Sequence, residues 1–342
     1  MRKSLVLLFG ILVPSVMIYI AYTGYNVVFE PNVNEAKLPY KLYVKEGATA
    51  EQLYAQLLED EVLLNPQGFL LLAKNKGLTK VKSGHYVIDQ GMSNNSFINA
   101  LKAGLQEPIR ITFNSADNLA DLAGKLGKQL LVDSANLHKA LNAPMDGWEG
   151  PFAMGAFLPD TYEVYWNASA KAIVNKLYQN TVAFWTPARL KQAEVLKMTP
   201  GEISTLASIV MKESSKATDR PLVARLYLNR LQKGMKLQAD PTVIYALNDL
   251  NPEQPVRRVL TRDLNLEHPY NTYVIKGLPP GPICVPEKAA LLSVLEAPKH
   301  DYIFMCANPD NPGYHAFARN YAGHLVNQRR WTQYLNSQKI YR

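Results

Sequence analysis

From Ser4 to Phe29 the chain carries no charged side chain, and Arg2 and Lys3 stand immediately before that run. An uninterrupted apolar stretch of this length can cross the hydrocarbon core of a bilayer as a helix, and basic residues ahead of it favour a cytoplasmic N-terminus. Residues 1–3 are therefore expected in the cytoplasm, residues 4–29 as a transmembrane anchor, and the rest outside, giving a single-pass protein of the cytoplasmic (inner) membrane. A cleaved signal peptide competes for the same residues. The run is longer than a signal core, no Ala-x-Ala site follows it, and Pro14 is tolerated in a bilayer helix, all of which favour the anchor.

At 342 residues the chain exceeds one ordinary domain, and 47% hydrophobic content supports folded cores. The formal charge of +8 comes without a long basic run, so nucleic acid is not an expected partner, whereas anionic lipid or an anionic wall polymer suits a basic outer surface. Cys284 and Cys306 are the only cysteines and leave room for one bridge at most. With no zinc-type Cys/His spacing and no Gly-rich phosphate loop, no metal or cofactor is expected.

Residues 30–39 are polar and contain proline, which suits a linker. A strand, a polar cap and a short helix then recur three times: Lys41–Val44 with Glu51–Leu58, His85–Ile88 with Phe97–Leu101, and Ile109–Phe113 with Leu119–Leu126. The expected fold class is α+β, with a small module at 40–105 and a larger mixed α/β catalytic domain at 106–342. The fragment Tyr43-Val44-Lys45-Glu46-Gly47-x-Thr49 resembles the opening of LysM modules, which hold N-acetylglucosamine-containing glycans; a brace for the catalytic domain is the alternative. Helices are expected around Ala170–Trp185, Pro187–Leu196 and Asp219–Leu231, the last with Val223, Leu226, Tyr227 and Arg230 on one face. Beyond Leu237, loops rich in Pro, Asn, Gly and Tyr are expected to line a cleft without adding much regular core.

Between these helices, Thr199-Pro200-x-Glu202 reads as an N-cap, a first-turn proline and a capping-box acid. In the helix that follows, Leu206, Ile209 and Val210 precede Glu213 by seven, four and three residues, so the acid shares their apolar face. A carboxyl group held against hydrocarbon favours its neutral form and can donate a proton near neutral pH. Glu213 is thus a candidate general acid, with a structural glutamate bonded to a neighbouring arginine or backbone amide as the alternative. Amides, hydroxyls and tyrosine rings follow in Asn229, Gln238, Asp240, Thr242, Tyr245, Tyr270, Asn271 and Tyr273, and His315-Ala316-Phe317 closes the set. Such groups suit a pyranose, which offers hydroxyls and an apolar face but no strong charge, and these eight residues are the candidate substrate contacts.

Ala207-Ser208-Ile209-Val210-x-Lys212-Glu213, the run from Asn229 to Tyr245, Tyr270-Asn271-Thr272-Tyr273 and the Gly277–Ile283 loop together resemble the MltG (YceG-like) family of endolytic murein transglycosylases. The resemblance implies an anchored lyase that cuts peptidoglycan glycan strands internally, leaves 1,6-anhydro-N-acetylmuramic acid ends, and works beside cell-wall synthases such as penicillin-binding proteins. Its catalytic glutamate aligns with Glu213. The family pattern usually reads Glu-Lys-Glu where this chain has Met211-Lys212-Glu213, so either a helper acid or a surface charge is missing. Three other readings stay open: a hydrolytic muramidase using Glu213 and Asp240, a non-enzymatic wall-binding scaffold for synthases, and a pyridoxal-phosphate lyase.

Overall fold

The computed structural model describes residues 2–339, with side chains from residue 10 onward. Two compact units divide the chain, and the boundary is not a single cut. The first takes residues 1–110 together with 129–131 and 163–169; the second takes 111–128, 132–162 and 170–342.

In the first unit, helix α1 (Arg2–Phe29) is followed by strand β1 (Tyr40–Val44), α2 (Ala50–Glu59), α3 (Pro66–Asn75), β2 (Gly84–Ile88) and α4 (Asn94–Ala103). The window Gly10–Phe29 is long and apolar enough to cross a membrane, and none of it is buried. The base of α1 is tied down where the Asn94 amide donates to the Val27 carbonyl at 2.8 Å. β1 and β2 pair antiparallel, with Leu42 opposite Tyr86. Thr49 caps α2 through a capping box with Gln52, and Leu42, Val44, Leu53, Leu57, Phe69, Ile88 and Ile98 form this unit's core.

The strand β3 (Ile109–Phe113) pairs with β4 (Asp160–Val164). Between them lie α5 (Leu119–Gly127), α6 (Ser134–Leu141) and a short 3-10 segment, Gly150–Ala156. Then follow α7 (Ala170–Phe184), α8 (Pro187–Val195), α9 (Pro200–Glu213), α10 (Arg220–Gln232), α11 (Asp240–Leu250), α12 (Lys288–Leu295), the antiparallel pair β5 (Phe304–Ala307) and β6 (His315–Ala318), and α13 (Tyr321–Ser337).

The centre of the second unit is α9, which packs against α8, α10, α11, α12 and the 3-10 segment. Thr199 and Glu202 form the expected capping box. The expected single apolar face is replaced by burial all round, since every residue from Ile203 to Met211 is buried. Two of its polar members are satisfied inside the helix, Thr205 Oγ1 donating to the Gly201 carbonyl at 2.8 Å and Ser208 Oγ to that of Thr205 at 2.7 Å, while Ser204 Oγ is buried without a partner. Met211 joins this core, so an acid at that position would not be a surface charge.

The region beyond Leu237 departs from the expected loops. Asp240-Pro241-Thr242 opens α11 rather than a turn, α12 contributes Ala290, Leu291 and Val294 to the core, and Pro279, Gly281, Pro282 and Ile283 are buried. Pro241 and Asp240 suit a helical first turn, where the missing N–H costs nothing and an acid complements the helix dipole. Both cysteines are free thiols, Cys284 in the core and Cys306 on β5.

Candidate active site

Glu213 is the last residue of α9 and is half-buried. Around its carboxyl group stand Tyr227 and Arg230 from α10, Asp240 from the start of α11 and His315 from β6. Removal from water dominates its titration, raising the pKa from 4.5 to about 7. The charge of His315 opposes that rise, the Asp240 carboxylate adds to it, and the Tyr227 hydroxyl and Arg230 guanidinium oppose it. A helix C-terminus, where carbonyl oxygens crowd, also disfavours an anion. The acid therefore exists in both protonation states near neutral pH, as proton donation followed by proton capture at one group requires.

The surrounding groups are held firmly. The Arg220 guanidinium donates to the Ser214 carbonyl at 2.8 Å, just past the acid, and pairs with Glu287 at 3.0 Å. Arg230 is buried and donates to the carbonyls of Ile303 at 2.7 Å and Leu237 at 2.5 Å. Asp219, 2% exposed, binds His315 Nδ1 at 2.6 Å and accepts from the His315 backbone N–H at 3.4 Å. That carboxylate fixes the imidazole ring by two points. Asp240 is exposed and accepts a hydrogen bond from the Tyr273 hydroxyl at 2.6 Å.

The eight candidate substrate contacts separate into two groups. Asp240 and Tyr273 act on Glu213 electrostatically, while half-buried Tyr245 and Tyr270 meet in a tilted pair with ring centroids 4.5 Å apart. Gln238 exposes its side chain from a left-handed backbone, φ 52°, an unusual conformation for a residue other than glycine. Thr242 and Asn271, by contrast, are both 0% exposed. Thr242 Oγ1 meets the Ala239 carbonyl at 2.7 Å and Thr272 Oγ1 at 2.8 Å. The Asn271 amide donates to the carbonyls of Leu264 and Leu266, at 3.1 and 2.7 Å, and its Oδ1 accepts from the Tyr273 N–H at 2.9 Å. Asn229 spends its amide on His300 and Tyr302 carbonyls at 2.7 and 3.0 Å. These three spend their donors on neighbouring protein groups, Thr242 and Asn271 out of reach of solvent and Asn229 with its Oδ1 still able to accept.

In the sequence Tyr227 and Arg230 carry only a helix-face signal, and Asp219 only that of a helix start. Their spacing of three residues, carrying a phenol and a guanidinium among aliphatic neighbours, was the available signal. A separate open cavity of about 430 Å³ is lined by Phe113, Asp160, Thr161, Glu287 and Lys288 among others, and none of the groups around Glu213 lines it.

The family model described as the YceG-like family matches residues 42–330. A Bacillus subtilis protein named endolytic murein transglycosylase is 25% identical over 307 residues, covering 82% of this chain and 82% of its own length. A Streptococcus pneumoniae protein of the same name is 25% identical over 324 residues; the match takes in 84% of this chain but 58% of that longer protein. The crystal structure of a yceG-like protein from Listeria monocytogenes superposes with a TM-score of 0.56 at 24% identity, covering 84% of this chain and 97% of that one, and so shares its fold.

Proposed function

Because the chain belongs to the YceG-like family and carries a carboxyl group that keeps its proton near neutrality, we propose that it is a membrane-anchored endolytic murein transglycosylase acting on peptidoglycan glycan strands. The observation that carries this reading is Glu213, placed at the end of a buried helix where removal from water outweighs the groups that favour its charge. Two relatives that bear this enzyme's name support the substrate class.

In the proposed reaction, protonated Glu213 gives its proton to the oxygen that joins N-acetylmuramic acid C1 to N-acetylglucosamine. The C1–O bond breaks with its electron pair leaving on that oxygen. The Glu213 carboxylate then takes the proton of the muramic acid C6 hydroxyl as O6 closes onto C1, giving a 1,6-anhydro end. Glu213 recovers its starting proton, and no water is consumed. Asp240, Tyr273, Gln238 and the Tyr245–Tyr270 pair are the groups suited to hold the sugars, through hydroxyl contacts and an apolar ring face. The LysM-like start of the 40–105 module would add a second hold on the glycan, and the α1 helix would keep the enzyme beside membrane-bound synthases such as penicillin-binding proteins.

One observation favours a second reading. Asp240 is a solvent-facing carboxylate electrostatically coupled to Glu213, as a water-activating base of a muramidase would be. Product mass separates the two. Digestion of purified glycan strands by the full-length chain in detergent is expected to yield fragments ending in anhydro sugars, lighter by one water than reducing ends. Reducing ends alone would replace the lytic reading with the hydrolytic one.

A further inference from the structure

Tyr227 is 1% exposed, and its hydroxyl makes no hydrogen bond of ordinary geometry. Burial of an unpartnered hydroxyl destabilises a fold, so one that stands beside an acid needs a reason. The groups that act on it electrostatically are Glu213, Arg230 and Tyr273, and the phenol lies close to the Glu213 carboxyl group without completing a hydrogen bond of good geometry. The other donors in this cluster have structural duties: Arg230 holds the Ile303 and Leu237 carbonyls, the Tyr273 hydroxyl holds Asp240, and His315 Nδ1 holds Asp219. Among the fully buried polar atoms of this cluster, the Tyr227 hydroxyl is the one without a hydrogen bond.

We infer that the Tyr227 hydroxyl is a reserved donor, idle against protonated Glu213 and donating to its carboxylate once the proton has passed to the glycosidic oxygen. Tyr227 is then a positioning residue that acts through Glu213, and the inference rests on the proposed lytic reading. No proton leaves the phenol; it supplies a hydrogen bond that strengthens as charge appears on the carboxylate. A bond absent from the ground state and present in the transition state lowers the barrier without tightening substrate binding. The phenol also belongs to the groups that hold Glu213 down in pH, together with His315 and Arg230 and against Asp240 and burial.

The test is Tyr227→Phe in the full-length chain, which keeps the ring and removes only the oxygen. We expect kcat to fall about 10- to 100-fold, the worth of a hydrogen bond to a charged group, with KM nearly constant. The descending limb of the kcat–pH profile, where Glu213 loses its proton, should move to higher pH. The thermal midpoint should hold or rise, because an unpartnered oxygen has left the core. Site-specific 3-fluorotyrosine at position 227, a stronger donor of the same shape, should move that limb to lower pH. A limb that stays in place in both proteins overturns the inference, as does a lowered thermal midpoint with unchanged kcat, which would mark a merely structural hydroxyl. Full activity of a Glu213→Gln protein would instead remove the lytic reading beneath it, so the two failures are distinguishable.

Discussion

Glu213→Gln is expected to fold, bind glycan and lose cleavage by roughly 10²- to 10⁴-fold, at the upper end because one group serves as both acid and base. The amide fills the same volume and cannot donate a proton to the leaving oxygen. The same substitution should stabilise the protein in a pH-dependent way. Folding raises the Glu213 pKa from 4.5 to about 7, so between those values the native state binds more protons than the unfolded chain. Stability from this group is then fully present below pH 4.5 and is lost as pH rises through about 7, a difference of about 3 kcal/mol at most. Glutamine does not titrate. The thermal midpoints of the two proteins should therefore diverge as pH rises from 5 to 8, the variant being the more stable at pH 8. Parallel midpoints across that range would mean that the carboxyl group is well solvated, and retained cleavage would take the chemistry away from it.

Local signals in the sequence were legible where local physics decides. Thr199 and Glu202 mark the start of α9 because a capping box needs only four residues to form. The apolar spacing of Leu206, Ile209 and Val210 places Glu213 correctly in the helix, yet the helix is buried on every side, and Ser204, Thr205 and Ser208 concealed that. Two of those hydroxyls bond inside the helix, so polar residue types stand at core positions. Burial hides chemistry at two further positions, where Thr242 on α11 and Asn271 in the loop before Gly277 spend their donors on neighbouring backbone. The Asp219–His315 pair joins residues 96 apart, and the first unit recruits 129–131 and 163–169 from the middle of the chain. Nothing in a single sequence announces pairings of that kind, because they depend on where long connections return.

Gly281→Ala is the substitution expected to damage the fold most. A Cβ at position 281 would stand 2.0 Å from the Pro151 carbonyl oxygen and 2.6 Å from its carbon. Both are backbone atoms, so no rotamer change relieves the overlap, and the buried loop or the Gly150–Ala156 segment must move. Either movement reaches α9. The segment packs on that helix, and two residues past Gly281 the Ile283 N–H donates to Ser208 Oγ at 2.9 Å. A forced shift of this size in a packed core costs about 3 kcal/mol or more, enough to lower the midpoint of a domain of this size by roughly 10 °C. Gly277, at the start of the same loop, is the internal control. Its φ of 85° strains any side chain, but no atom lies within 4 Å of the added carbon, so Gly277→Ala should cost only about 1 kcal/mol. Calorimetry of both variants, with glycan digestion measured below each midpoint, checks the argument. Equal losses would show that backbone conformation, not the close approach of Pro151, is what the glycines of this loop supply, and the loop would no longer be a support for the helix that carries Glu213.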